Sequence, residues 1–208
     1  MTAPVQAVST DRPAFSYVNL VLFCTIVAAT IIGIPLYGYF VGFTTFDWIL
    51  AFVMYVVTGM GITVGYHRLV SHQSFECPDW VKRCALIAGG WALQNSALIW
   101  CADHIRHHAR TDTDEDPYNA SRGFWHSHCG WLFYETPHRT DKYEIRLRRD
   151  PVILWQHRYY WAIVVSGLAI PFALGVWWHQ GWMGGVSALL LGGLFRMFMV
   201  LNSTFTIN

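Results

Sequence analysis

Two long apolar blocks enclose one polar block. From Tyr17 to Phe40 no residue is charged, and as a helix rising ~1.5 Å per residue that run is long enough to cross a ~30 Å hydrocarbon core. A short break at Gly42 and Thr44 leads into a second uncharged run from Trp48 to Tyr66. Past the polar block come Tyr159 to Trp178 and then Met183 to Asn208. The pattern predicts four membrane helices at about 17–40, 45–66, 159–178 and 183–208, with a polar insert over 67–158. The expected fold is an all-α integral membrane protein: four transmembrane helices in two hairpins, with a cytoplasmic helical insert, in one domain over 1–208. Pro171 inside the third run is compatible, because neighbouring helices re-satisfy the freed backbone groups. Ala85 to Trp100 is apolar but about 16 residues long, short for a span. It contains Gly89, Gly90, Gln94, Asn95 and Ser96, and is expected to form a helix lying in the interface or packed under the insert.

Charge sharpens this layout. All charged residues but Asp11, Arg12, Asp47 and Arg196 lie between His67 and Arg158. All Lys and Arg but Arg12 and Arg196 do so too, which places the insert on the cytoplasmic side by the positive-inside rule. An even number of spans then places both termini there, and Trp177, Trp178 and Trp182 fit an aromatic belt at the far surface. At 13% charged residues and a net charge of +1 the chain is neither an ordinary soluble domain nor a nucleic-acid binder. Cys24, Cys77, Cys84, Cys101 and Cys129 show no paired metal spacing and are expected to be reduced thiols.

Histidines carry the candidate chemistry. His67 and His72 form an H-x4-H cluster at the end of the second span, and His104, His107 and His108 an H-x2-H-H cluster in the insert. At helical spacing the second trio projects from one face. His67 and His72 lie about 140° apart on an ideal helix, so they share a face only where the helix loosens. Imidazole suits Fe, Zn, Cu and Ni, and an imidazole-rich multi-metal site fits better than a closed structural zinc site.

The flanks narrow the reading. Gly65-Tyr66-His67-Arg68, Ser71-His72, Gln94-Asn95-Ser96, Asp103-His104 with His107-His108, Asp116-Pro117-Tyr118-Asn119, Ser127-His128 with Gly130-Trp131-Leu132, and Gln156-His157-Arg158 together resemble the membrane fatty-acid desaturases of the acyl-CoA Δ9 branch. That resemblance implies a di-iron centre with His67, His72, His104, His107 and His108 as ligands and Asn208 as a water-linked ligand, with no catalytic residue apart from the ligands. It implies removal of two hydrogens from a saturated acyl-CoA or acyl-lipid chain with O2 as co-substrate. Two electrons would come from an external carrier (cytochrome b5-like, ferredoxin-like or rubredoxin-like) and its reductase, in a bacterial inner or ER-like membrane. A histidine four residues past Asn208 and a third H-x2-H-H box are features of the family, so the chain reads as a fragment inactive alone. A related di-iron hydroxylase and a non-enzymatic four-span metal- or haem-binding protein share the same clusters.

Candidate substrate contacts are Gln94, Asn95, Trp100, Asp103, Arg106, Arg139 and Lys142. Gln94 and Asn95 are polar groups in an apolar run that need partners. Trp100 is a candidate wall of an acyl tunnel, with ordinary packing as the alternative. The run Arg139, Lys142, Arg146, Arg148 and Arg149 could hold phosphates, lipid headgroups or a carrier, or simply be solvated. Asp112, Asp114, Glu115 and Asp116 are expected to form a solvated turn, and His128 to orient a neighbour by hydrogen bonding. Arg196, inside the last span, is expected to be paired or to face the site or a headgroup.

Overall fold

In a computed structural model, residues 14–134 and 142–206 are described. They form α1 (Tyr17–Phe40), α2 (Thr45–Ser71), α3 (Asp79–Gly90), α4 (Ala97–Arg110), α5 (Phe124–His128), α6 (Lys142–Leu147), α7 (Pro151–Arg158), α8 (Tyr160–His179) and α9 (Trp182–Thr206). The described residues form no strand, only a single bridge between Phe15 and Tyr134. Four helices, α1, α2, α8 and α9, are long and apolar enough to cross a membrane, and the fold is an all-α integral membrane fold. Asn208 and Arg139 lie outside the described residues.

The bundle is organised around α9. In its most apolar window 56% of the residues are buried, against 6% in α1. α9 packs on α1, α2 and α8, whereas α1 rests mainly on α9 and on the Gly130–Phe133 turn. Polar links fix this arrangement, with Asn19 Nδ2 donating to the Leu132 carbonyl at 2.8 Å and the Tyr37 hydroxyl to the Met183 carbonyl at 2.8 Å. The α8–α9 hairpin closes through bare backbone: a Cβ on Gly175 would lie 2.2 Å from the Gly184 carbonyl oxygen, so only glycine fits there.

Asp47 does more than open α2. One carboxylate oxygen accepts from the Thr44 N–H and hydroxyl, both at 2.9 Å, capping the helix. The other accepts from the Ser187 hydroxyl at 2.7 Å and contacts His179 Nε2 at 3.2 Å, tying together the ends of α2, α8 and α9.

Two features differ from the pattern along the chain. The stretch from Ala85 to Trp100 is not one helix. α3 stops at Gly90, and Leu93 and Asn95 adopt left-handed φ of 57° and 76°, which no helix tolerates, before α4 begins at Ala97. α2 also runs past Tyr66 to Ser71, and over Gly61–Ser71 it widens into a π-helix. His67 is therefore still helical, and α2 ends only after Ser71. Gly61 lets α3 approach this wider segment, since a Cβ there would lie 2.2 Å from the Gly89 nitrogen.

The main core lies where α2, α3, α4 and α7 meet and includes Ile62, Tyr66, Leu86, Leu98, Cys101 and Val152. Gln156 is wholly buried within it but satisfied: its Oε1 accepts the Ala97 N–H at 2.9 Å and its Nε2 donates to the Tyr66 hydroxyl at 2.7 Å. It thereby supplies a partner to the otherwise unpaired N-terminus of α4, the helix that carries the second histidine cluster.

Candidate metal centre

The widened end of α2 settles how His67 and His72 meet. In the i→i+5 pattern the His72 N–H donates to the His67 carbonyl at 3.0 Å, and the fifth residue returns over the first. Their Nε2 atoms lie 3.1 Å apart. On α4 the ordinary i, i+4 repeat brings His104 Nε2 to 3.0 Å from His108 Nε2. The two helices face each other, with ring centroids 4.7 Å apart for His67 and His104 and 4.9 Å for His72 and His108. Ligand nitrogens of these four residues all lie within 4.8 Å of one another.

The donor set suits a mid-row transition metal. His104 is buried, and burial, followed by the neighbouring His108, His67, His72 and His107, pushes its pKa down to about 3. Burial and the charges of His72 and His107 also lower that of His108. Neutral imidazoles with free lone pairs are what metal binding requires. His104 Nδ1 is buried without a hydrogen-bond partner among the described residues, leaving that ring dependent on packing for its orientation.

His107 is not brought into this group of four. Its ring lies 6.3 Å from His104 and 5.5 Å from His108, and its Nδ1 contacts both oxygens of Asp116 at 2.9 and 3.0 Å. Asp116 also accepts the backbone N–H groups of Asp112 and Tyr118, both at 2.9 Å. It is buried and organises the turn, so it is not the solvated acid that its crowded acidic neighbours suggested. A carboxylate on Nδ1 holds the ring proton there and leaves Nε2 free, the arrangement common behind metal-bound histidines.

Behind the four histidines stands an aromatic and amide wall. The Trp100 ring stacks on His104 at 4.8 Å with 20° between planes. Its indole N–H donates to Gln94 Oε1 at 3.2 Å, and Gln94 Nε2 donates to the Thr204 hydroxyl at 3.0 Å. The buried Gln94 thus has partners at both ends of its amide. Thr204 had no signal beyond being a polar residue in an apolar run. Asn95 is exposed and held in its left-handed turn from both sides: its N–H donates to the Tyr160 hydroxyl at 3.1 Å, and its carbonyl accepts from Tyr66 at 3.4 Å. Gln94 and Asn95 line an open cleft together with Asn19, Phe23, Leu93 and Trp131.

The remaining candidates lie elsewhere. Asp103 and Arg106 are buried and form an ion pair of 2.5 Å with each other. Lys142 lies over the Tyr143 ring at 5.0 Å, and Arg148 pairs with Glu144. His128 Nε2 contacts Asn202 Oδ1 at 3.2 Å, linking α5 to α9. Arg196 faces neither the histidines nor a surface; it is buried among backbone carbonyls. The five cysteines are free thiols, and burial pushes the pKa of Cys101 up to about 12, leaving it inert.

Comparison with known proteins places these features in a family. Residues 46–207 match the family model described as fatty acid desaturase. The chain is 34% identical to the sn-2 palmitoyl-lipid 9-desaturase of Nostoc sp. (strain 36), over 100% of this chain and 71% of that protein. It is 33% identical to the sn-1 stearoyl-lipid 9-desaturase of Anabaena variabilis, over 96% of this chain and 70% of the relative. It is 30% identical to the acyl-CoA Delta-9 desaturase of Acheta domesticus, over 99% and 60% respectively.

Proposed function

The chain belongs to the fatty acid desaturase family, and from that premise we propose that it introduces a cis double bond at the Δ9 position of a saturated acyl chain, using iron and O2. It is a multi-pass membrane oxidoreductase. The observation that carries the finer reading is the contact between Trp100 and His104: the four-imidazole group is built directly against the Trp100 ring, whose indole N–H is bound by Gln94, a residue that lines the open cleft. Iron, when bound, supplies the oxygen chemistry needed to remove hydrogen from unactivated methylenes.

The residues of this chain do the rest. His67, His72, His104 and His108 would hold the metal, with His107 beside them for a second ion and Asp116 keeping its proton on Nδ1. The acyl chain lies in the cleft, and Gln94, Thr204 and Trp100 set the point at which it passes the histidines. Asn95, with an exposed side chain at the cleft, meets the polar end of the substrate. The reaction consumes one O2, two electrons and two protons per double bond and yields two waters, so an external electron carrier docks on the water-facing insert. That insert and both termini lie on the cytoplasmic side, in keeping with the Lys and Arg distribution. The first two relatives are named for lipid-bound palmitoyl and stearoyl chains, which favours an acyl-lipid substrate over acyl-CoA here.

The test is product analysis in a host supplied with isotope-labelled stearate, comparing the intact protein with its His104→Ala variant. A labelled 9-monoene from the parent and none from the variant is expected. A hydroxylated product, or unchanged monoene from the variant, refutes the reading.

A further inference from the structure

Arg196 is buried to 1% exposure inside α9, where a cation is costly. Its Nε donates to the Gly192 carbonyl at 3.2 Å, Nη1 to the Thr58 hydroxyl at 3.3 Å and to the Trp91 carbonyl, and Nη2 to the Gly167 carbonyl at 2.8 Å. All of these acceptors are neutral, and among the described residues no carboxylate pairs with it. An apolar side chain of similar volume would fill the space with no charge to desolvate. What the guanidinium adds is direction: one rigid planar fork fixes α2, the end of α3, α8 and its own helix at once.

The contacts converge on Trp91. Its carbonyl is held by Arg196, its indole N–H by the Ser166 hydroxyl at 3.0 Å, and its ring lies over Gly167, where a Cβ would come within 2.6 Å. Trp91 is the first residue of the break between α3 and α4. Two left-handed residues follow within four positions, so the path of this segment depends on how its ends are held. Gln94 sits in that path, bridging Thr204 and Trp100, and Trp100 backs His104.

We propose that Arg196 is a positioning residue that sets the height of the 91–96 break in the bundle and, through Gln94 and Trp100, which carbon of the acyl chain faces the histidines. It would thus determine double-bond position without touching substrate or metal. The inference rests on the desaturase reading above, but its structural half can be tested without it.

The experiment compares the full chain in lipid nanodiscs and in cells with Arg196→Met, Arg196→Lys and Thr58→Val. Thr58→Val removes one Arg196 acceptor but leaves the Trp91 link, and serves as the control for simple loss of bundle stability. Amide hydrogen exchange is expected to speed up about tenfold or more over residues 92–96 in Arg196→Met relative to the far half of α8, less in Arg196→Lys, and not selectively in Thr58→Val. In cells, Arg196→Met should spread the double bond over neighbouring carbons, Arg196→Lys should narrow the spread again, and Thr58→Val should keep the parental position. Exchange that rises uniformly across all helices, or a single parental position from Arg196→Met, overturns the proposal. If Arg196→Met does not fold, Arg196→Lys is judged by the same two readouts against Thr58→Val. An intact protein that makes no double bond refutes the desaturase reading instead, and the exchange pattern alone then decides whether Arg196 holds the break.

Discussion

Asp116→Asn changes one atom and poses a sharp question about His107. The Asp116 side chain is fully shielded from solvent, and its two oxygens serve three donors: the His107 ring and the Asp112 and Tyr118 N–H groups. Asparagine keeps the shape but has one oxygen. Whichever oxygen becomes NH2, that group faces one backbone N–H, losing a hydrogen bond to a charged acceptor worth about 1.5–3 kcal/mol, and also lies beside His107 Nδ1. Where the amide donates to Nδ1, the ring proton moves to Nε2, and the nitrogen that would bind metal is blocked. Loss of such an outer partner typically costs about 10–100-fold in metal affinity, or roughly 1.4–2.8 kcal/mol. The assay is competition for ferrous iron between the purified protein and a calibrated chelator, for the parent, Asp116→Asn, His107→Ala and the double variant. If Asp116 acts through His107, the single losses are similar and the double variant is no worse than His107→Ala. Affinity within twofold of the parent for a folded Asp116→Asn, or fully additive losses, refutes the reasoning.

Three further outcomes are expected. Gln94→Leu leaves the Trp100 indole N–H and the Thr204 hydroxyl without the amide, at about 1–3 kcal/mol for a buried group left unpaired, and should broaden the double-bond position in the product profile. Gly61→Ala forces a Cβ toward the Gly89 nitrogen and must part α2 from α3; a cost of about 1–3 kcal/mol in thermal unfolding and weaker metal binding should appear together. Asp150 caps α7 through the Val152 and Ile153 N–H groups and pairs with Lys82 at 2.7 Å; although burial raises its pKa, these partners bring it below the ordinary value. Its stabilisation is therefore present above about pH 4 and lost as pH falls through the lower folded value. Asp150→Ala should cost about 1–2 kcal/mol at neutral pH, and the gap to the parent should close on acidification. A gap that widens in acid contradicts this assignment.

Those predictions fall where reading along the chain was least complete, and the reason is physical. α1 and α8 were visible because an uncharged run of membrane length is a one-dimensional signal, and α9 because its run is broken only by Arg196. The H-x4-H spacing exposed a conflict with ideal helical geometry but could not say how it is resolved. The same side chains can bond i→i+4 or i→i+5, and what accompanies the wider form here is the approach of α3 at Gly61, a contact remote in sequence. Ala85 to Trp100 looked like one short apolar helix because composition does not record φ; Leu93 carries no mark of a left-handed residue, and its turn is held by partners in α2 and α8. Asp116 was hidden among three other acids, although its place just before Pro117-Tyr118 belonged to the family-like motif. Crowded charge suggests solvation, yet burial is decided one residue at a time, by whether donors converge on that carboxylate. Local preference and final structure thus disagree at the widened end of α2, the left-handed break and the buried Asp116; the first and last border the histidines, and the break reaches His104 through Gln94 and Trp100. Such disagreement is expected where a fold spends stability on holding a site open. Relieving one of these strains should therefore raise stability and lower activity together. Replacing Asn95 by Gly, which adopts positive φ freely, should ease the turn while removing the amide at the cleft. A variant that gains stability and keeps full turnover would show that the turn is a folding accident and not part of the site.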